Sequence, residues 1–178
     1  MGVPAQSAGW QSEWRPAVRW GILLAMVDLR VLAEDDWKLW RELRLAALAE
    51  APYAFGSTLA GWQDAVEEQW RQRLRIPGAR DLVAFLGDQP VGMASGVPTG
   101  DGAVEVISVW VSPAGRGRGV GDALLDGIVR WAAESGASAV RLSVKADNAA
   151  ATKLYERAGF VHVGPNPADP DEVLMERA

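Results

Sequence analysis

A run of glycines and arginines is the part of this sequence best suited to bind a charged ligand. It reads VSPAGRGRGVG from Val111 to Gly121, follows β-forming residues at 104–111, and opens a helical pattern that extends to about Glu134. Glycine lets the backbone approach a ligand closely, and the first N–H groups of a helix have no partners within the helix. Arg116 and Arg118 add fixed positive charge with forked donors that match phosphate oxygens. The segment therefore predicts a site that holds a pyrophosphate.

The spacing of these residues excludes two common phosphate-binding loops. A Walker loop needs a lysine, and none stands in this segment. A dinucleotide fingerprint needs glycine or alanine at its third position, where the two alignments place Val120 or Asp122. The spacing that remains is Arg116-x-x-Gly119-x-Gly121. A surface loop with glycines for a tight turn is the alternative interpretation.

A second stretch of interest begins at Asn148 and ends at Phe160, with the pattern Asn-x-x-Ala-x-x-Leu-Tyr-Glu-x-x-Gly-Phe. Asn148 is a favourable helix N-cap, and Gly159 stands where a C-cap glycine belongs. Between them, apolar residues recur at helical spacing. The pattern predicts a helix that carries Tyr155 and is followed by a strand.

Together the two motifs resemble those of the GNAT acetyltransferase superfamily, in which they occur in this order and are separated by one helix and one strand. The first resembles the family's acetyl-coenzyme A motif, Arg/Gln-x-x-Gly-x-Gly/Ala. The resemblance covers roughly residues 27–178, although its motifs lie in the second half. It implies that acetyl-CoA is the cosubstrate and that no metal is needed. The residues it assigns to acetyl-CoA are Val109, Trp110, Val111, Arg116, Gly117, Arg118, Gly119, Val120, Gly121 and Asn148.

The same resemblance implies how an acetyl group is transferred. In the family, the strand before the loop separates from the next strand, and its unpaired backbone groups hold the pantetheine arm and polarise the thioester carbonyl. The corresponding residues here are 109–111. Tyr155 matches the usual general acid, and a phenol with an ordinary pKa of about 10 is protonated at neutral pH. The alternative is a tyrosine that closes the edge of the core.

Glu105 is the candidate general base. It interrupts an apolar strand six residues before Val111. Some members of the family use a glutamate at this position to accept the amine proton, whereas others lack one. An exposed position at an edge is the alternative. Ser108 is predicted to lie on the opposite face of that strand, and a lone histidine such as His162 is more typical of a structural residue than of a base.

The elements that must position these residues follow the order βααβββαβαββ. The second helix is predicted as one continuous element with a stripe formed by Trp62, Val66, Trp70 and Leu74. The predicted fold class is therefore α/β (α+β). It is the GNAT fold, in which helices flank a mixed, mostly antiparallel sheet that splays between the fourth and fifth strands.

Composition narrows the function. The 178 residues are enough for one domain with a real core, and the absence of cysteine together with a single histidine leaves little material for a zinc site or a Ser-His-Asp triad. A net charge of −5 argues against a nucleic-acid partner and is compatible with an amine-bearing one. No apolar run reaches the ~20 residues of a membrane helix, so we expect a cytoplasmic protein without a membrane partner. A homodimer is left open.

The first 25 residues are predicted to be an extension outside the fold, and residues 26–178 to be the acetyltransferase domain. Arg15 and Arg19 precede a short apolar run at 21–26, as in a signal peptide, but no small-x-small cleavage site follows. Alternation typical of a strand begins immediately afterwards, at Val27. Cleavage nearby would endanger that strand, so we favour the extension.

The function predicted from these features is an acetyl-CoA-dependent N-acetyltransferase that acts on a primary amine of a small molecule or a protein. The family builds its acceptor site from the first two helices and their loop, here near Trp37, Tyr53, Phe55 and Trp62. The alternative is a non-catalytic domain that binds acyl-CoA for regulation. The presence of both Asn148 and Tyr155 argues against that alternative.

Overall fold

The computed structural model describes residues 26–178, and the predicted extension lies outside the described residues. The element order matches the prediction except within the second helix. The strands and helices are β1 (Val27–Val31), α1 (Trp37–Glu50), α2 (Leu59–Trp62), α3 (Glu67–Leu74), β2 (Arg80–Leu86), β3 (Gln89–Pro98), β4 (Val104–Val111), α4 (Val120–Glu134), β5 (Val140–Lys145), α5 (Ala149–Arg157), β6 (Val161–Asn166) and β7 (Asp169–Arg177).

The strands form a single sheet in the order β1-β2-β3-β4-β5-β7-β6. Every neighbouring pair is antiparallel except β4 and β5, which run parallel. That parallel pair is short, because only Val104 with Val140 and Glu105 with Arg141 are in register. Beyond Glu105 the two strands separate. The mixed, mostly antiparallel sheet that splays between its fourth and fifth strands is thus confirmed.

Helices cover both faces of the sheet and create two apolar cores. On one face, α4 packs on β2, β3 and β4. Its buried residues recur at helical spacing, and the stripe is Val120, Leu124, Leu125, Ile128 and Ala132. On the other face, α1 and α3 bury Trp40 and Trp70 against Met93 and Trp110. No helix within residues 26–178 has the length and apolar character required to cross a bilayer.

The single helix predicted around Trp62 and Trp70 is wrong, because the structure divides it into α2 and α3. Val66 was expected on the apolar stripe, yet it has extended backbone, is 62% exposed and stands at the N-cap of α3. Its N–H donates to the side-chain oxygen of Gln69 at 3.0 Å, which helps the new helix to begin there. The two tryptophan rings still pack, with centroids 4.7 Å apart.

A bulge in β4 changes which side chains face each core. Ser108 adopts a left-handed backbone with φ of 58°, and the register with β3 shifts beside it. Val104 and Val106 face the α4 core before the bulge, and Val109 faces the same core after it. Without the extra residue that the bulge inserts into β4, strict alternation would point the side chain of Val109 toward the opposite face of the sheet.

We expect the strain at Ser108 to be measurable. Ser108→Gly should raise the free energy of unfolding by about 1 kcal/mol, because glycine adopts positive φ without steric cost. Ser108→Thr keeps the hydroxyl but adds a β-branch, and it should lower stability by about 1–3 kcal/mol. Urea denaturation of the three proteins measures both effects. Equal midpoints for the two variants would show that this backbone stores no strain.

Candidate functional site

A cavity of about 710 Å³ opens where β4 and β5 separate. Its walls come from the end of β4, the glycine-rich loop, the start of α4, the helix α5 and the loop after α1. The lining residues are Ala51, Tyr53, Ala54, Phe55, Val109, Trp110, Val111, Gly115, Arg116, Gly117, Gly119, Val120, Gly121, Asp122, Asn148, Ala150, Ala151, Leu154, Tyr155 and Arg157. Of the predicted site residues, the cavity therefore brings together all except Arg118 and Glu105.

The glycine-rich loop presents a row of free backbone donors. Gly117 and Gly119 have φ of 69° and 76°, a backbone conformation that other residues adopt only with strain. Within the described residues, none of the N–H groups from Gly117 to Asp122 donates to a protein acceptor, and Ala123 makes the first bond, to the oxygen of Gly119. A helix of 15 residues adds its dipole to these donors. This arrangement fits a pyrophosphate.

The last glycine of the motif serves packing as well as ligand approach. A Cβ on Gly121 would lie 2.9 Å from a methyl carbon of Leu154. The start of α4 can therefore lie against α5 only if this position has no side chain. The close approach of the two helices places the free N–H groups and Tyr155 around one cavity.

Arg116 lines the cavity but is already engaged by other groups. Its Nη2 donates to Oε2 of Glu50 at 2.8 Å, and its Nε donates to the carbonyl of Val111 at 3.2 Å. The indole N–H of Trp110 donates to the same oxygen of Glu50 at 3.1 Å. The hydrogen bonds from Arg116 and Trp110 lower the pKa of Glu50, which is therefore a carboxylate. A phosphate must share Arg116 with Glu50 or displace it.

The sequence reasoning missed Glu50, and it also missed Arg157. Arg157 lines the cavity and donates to both carboxylate oxygens of Asp122, at 2.9 and 3.1 Å. Arg118, in contrast, is exposed, does not line the cavity, and has no hydrogen-bond partner among residues 26–178. No local sequence pattern predicts the pairing of Arg116 with Glu50 or of Arg157 with Asp122, because the partners are 66 and 35 residues apart in the chain.

Tyr155 and Asn148 occupy the same wall, on α5. Tyr155 is 7% exposed, and its ring meets Phe160 edge-on with centroids 6.2 Å apart. Burial raises the pKa of Tyr155 to about 12. Asn148 is the N-cap of the helix, as predicted, since its side-chain oxygen accepts from the N–H of Ala151 at 3.1 Å. Because its pKa is raised, the Tyr155 phenol keeps its proton at neutral pH.

Glu105 and His162 lie away from this cavity. Glu105 is exposed on β4 at the point where that strand still pairs with β5, roughly 10–13 Å along the strand from Val109. It does not line the cavity. His162 is exposed beside Glu156, 3.4 Å from its carboxylate. A proton relay from an amine to Glu105 would therefore require intervening water.

The predicted acceptor residues separate into two groups. Tyr53 and Phe55, in the loop after α1, line the cavity. Trp62 instead packs on Trp70. Trp37 lies in a second groove on the outer face of α1, with Lys38, Arg41 and Leu45. Only the loop residues are placed to meet a ligand in the main cavity.

Comparison with known proteins shows which family this chain resembles. The family model described as "Acetyltransferase (GNAT) family" matches residues 37–160. Among curated proteins, the chain is 33% identical over 140 residues to the mycothiol acetyltransferase of Renibacterium salmoninarum, covering 75% of this chain and 40% of that protein. The chain thus spans about two fifths of the length of this relative.

Solved structures share the fold at low sequence identity. The PaiA N-acetyltransferase of Thermoplasma acidophilum, in complex with coenzyme A, has a TM-score of 0.68 and 16% identity, covering 85% of this chain and 98% of that one. A proposed acetyltransferase of Salmonella typhimurium, yncA, solved with its cofactor acetyl-CoA, has a TM-score of 0.69 and 21% identity, covering 85% and 93%.

The position of Glu50 predicts a gain in coenzyme A affinity when its charge is removed. Glu50→Gln can still accept a hydrogen bond from Trp110, but without its negative charge it competes more weakly with phosphate for Arg116. We expect the Kd for coenzyme A to fall about three- to tenfold, which corresponds to about 0.7–1.4 kcal/mol. Calorimetric titration measures the change.

Glu134→Gln is the matched control, since it removes the same charge at the far end of α4. It should leave the Kd unchanged. If Glu50→Gln weakened binding instead, Glu50 would be holding Arg116 in its binding position rather than competing for it.

Proposed function

We propose that this chain, which belongs to the acetyltransferase (GNAT) family, transfers an acetyl group from acetyl-CoA to a primary amine. One observation carries the proposal. The free N–H groups of the loop at 117–122 and the protonated Tyr155 line the same cavity, which opens where β4 leaves β5. The free N–H groups suit the pyrophosphate of coenzyme A, and the phenol can protonate the departing sulfur.

Acetyl-CoA as the cosubstrate is supported by the fit of the residues and by two structural relatives. The N–H groups of the loop and the start of α4 would hold the pyrophosphate. The edge of β4 beyond Glu105, which β5 leaves unpaired, would hold the pantetheine arm. The Salmonella protein was solved with acetyl-CoA, and the Thermoplasma protein was solved in complex with coenzyme A. When bound, acetyl-CoA supplies the activated acetyl carbon.

The protein's own groups would then act in three ways. Backbone groups at Val109 and Trp110 would polarise the carbonyl oxygen as it gains negative charge. The neutral amine forms the new bond from nitrogen to the acetyl carbon as the bond from carbon to sulfur breaks. Tyr155 donates its proton to the departing sulfur, and the amine nitrogen loses one proton to water or to a base. Solvent then returns a proton to the Tyr155 phenolate, so that the enzyme is unchanged at the end of the cycle. The products are the N-acetyl amine and free coenzyme A.

The acceptor is the least constrained part of the proposal. Several curated relatives are named mycothiol acetyltransferase, which makes a mycothiol-related amine one candidate for this chain. The chain covers only about two fifths of those proteins, so a broader amine panel is needed.

The test combines calorimetry with acetyl-CoA and a thiol-release assay across amines that include a mycothiol-related one, small metabolites and peptide N-termini. Thiol release that depends on an amine supports the transferase. Tight binding with no release by any amine would favour the non-catalytic acyl-CoA-binding domain instead.

The role of Tyr155 makes a kinetic prediction. Tyr155→Phe keeps the ring and its contact with Phe160 but removes the proton donor. Its kcat should fall by roughly 10²-fold, with a smaller change in KM for acetyl-CoA, while stability changes by less than about 1 kcal/mol. Because burial raises the pKa of Tyr155 to about 12, the phenol stays protonated in ordinary assays. The ratio of wild-type to variant rates should therefore stay constant between about pH 6 and pH 9.

A steady-state pH series and a thermal melt measure these effects. Full activity in Tyr155→Phe would show that water or another group supplies the proton to sulfur.

Glu105 makes a different prediction. If it accepts the amine proton through water, Glu105→Gln should lower kcat most at low pH, and raising the pH should restore much of the rate, because the amine then arrives neutral. Its exposed position means that the melting temperature should stay unchanged. A pH–rate profile with one good acceptor tests this. A near-silent variant at every pH would reject the base role.

A further inference from the structure

The loop after α1 meets the main cavity without any charged side chain. The residues of this loop that line the cavity are Ala51, Tyr53, Ala54 and Phe55. In the proposed function, the cosubstrate uses the backbone donors at 117–122 and the edge of β4. This loop is therefore the part of the wall that remains for the acceptor, and its side chains limit which acceptors fit.

The charged side chains that line the cavity are all paired within the protein. Among residues 26–178 they are Arg116, Asp122 and Arg157. Arg157 donates to both carboxylate oxygens of Asp122, at 2.9 and 3.1 Å, and Arg116 donates to Glu50 at 2.8 Å. The cavity wall therefore leaves no unpaired carboxylate for an ammonium group and no unpaired guanidinium for a carboxylate of the acceptor.

Aromatic rings supply most of the surface that remains. Tyr53 is 67% exposed, although it is a large aromatic residue. Phe55 is partly buried, and its ring centroid lies 4.5 Å from the guanidinium carbon of Arg44, which supports the ring. Trp110 also lines the cavity, and its indole N–H is already bonded to Glu50. Exposed aromatic surface in a cavity is typical of a surface that a ligand covers.

We infer that the acceptor carries its primary amine on an uncharged aromatic body, which packs against Tyr53 and Phe55. The inference rests on the proposed function and names the class of amine for it. Contact between aromatic rings and the removal of apolar surface from water supply the affinity. The apolar wall also disfavours the ammonium form of the acceptor, so the amine is more readily neutral, which is the form that attacks the acetyl carbon.

The test compares amines that differ in one feature, with thiol release as the readout. Phenylethylamine is the reference acceptor. Ethylamine lacks the ring, cyclohexylethylamine replaces it with a saturated ring, and the para-carboxylate of phenylethylamine adds a charge far from the amine. Wild type should use phenylethylamine with a kcat/KM at least about tenfold above both ethylamine and the carboxylate, which corresponds to about 1.4 kcal/mol. Cyclohexylethylamine should fall between phenylethylamine and ethylamine.

Variants of the exposed ring test its role directly. Tyr53→Ala should lower kcat/KM for phenylethylamine about tenfold, chiefly by raising KM, and for ethylamine by less than about twofold. Tyr53→Phe retains the ring and should keep the wild-type preference. Val163→Ala is the control, since it shortens an exposed apolar side chain on β6, outside the cavity, and should behave as wild type. Because both positions are exposed, the melting temperature of each variant should stay close to that of wild type.

Three results would overturn the inference. The first is an equal kcat/KM for phenylethylamine and ethylamine in wild type. The second is a preference of wild type for the carboxylate, or for a mycothiol-related amine, over phenylethylamine. The third is a preference for phenylethylamine that Tyr53→Ala leaves unchanged.

A binding measurement separates failure of this inference from failure of the proposed function. In the presence of coenzyme A, phenylethylamine should raise the melting temperature of wild type but not of Tyr53→Ala. If no amine is acetylated but this shift is seen, the transferase proposal fails and the aromatic binding site stands. If polar amines are acetylated while phenylethylamine neither reacts nor shifts the melting temperature, the transferase stands and the inference about the acceptor fails.

Discussion

The separation of β4 from β5 after Glu105 is the constraint on which the rest of the site depends. Two parallel strands that stay paired would use every backbone group and leave no space between them. Here the gap provides both a cavity and an unsatisfied strand edge. The bulge at Ser108 keeps Val109 against the α4 core while the chain bends. The left-handed backbone at a non-glycine residue is the strain that accompanies this geometry.

The positive side chains around the glycine-rich loop at 117–122 are almost neutralised by carboxylates of the protein itself. Arg116 faces Glu50 and Arg157 faces Asp122, so the basic side chains of the cavity are already paired. On the proposed function, the attraction for a pyrophosphate would therefore come largely from the N–H groups of the loop and the dipole of α4. In that way a chain with a net charge of −5 could still bind an anion. The backbone supplies a local field that the overall charge does not reveal.

Features determined by neighbouring residues were predictable from the sequence, and features determined by distant contacts were not. The cap at Asn148 and the order of strands and helices along the chain follow from short-range patterns. At the break between α2 and α3, the N–H of Val66 donates to the side-chain oxygen of Gln69, a contact that the apolar stripe did not predict. The pairing of Arg116 with Glu50 joins elements 66 residues apart, and no spacing rule anticipates it. The bulge at Ser108 could not be predicted either, because no glycine marks the position at which the alternation of side chains between the two faces changes.

The buried ion pair beneath α1 joins α3 to two strands of the sheet, because Arg73 bonds both Asp81 and Ser95. A buried ion pair such as Arg73 with Asp81 contributes little net stability, since desolvation offsets most of its attraction. A second guanidinium beside it, at Arg44, makes the free protein less stable still. Backbone donors at the start of α4 keep their positions whatever the neighbouring side chains are, whereas the loop after α1 meets the cavity through side chains that substitution can change.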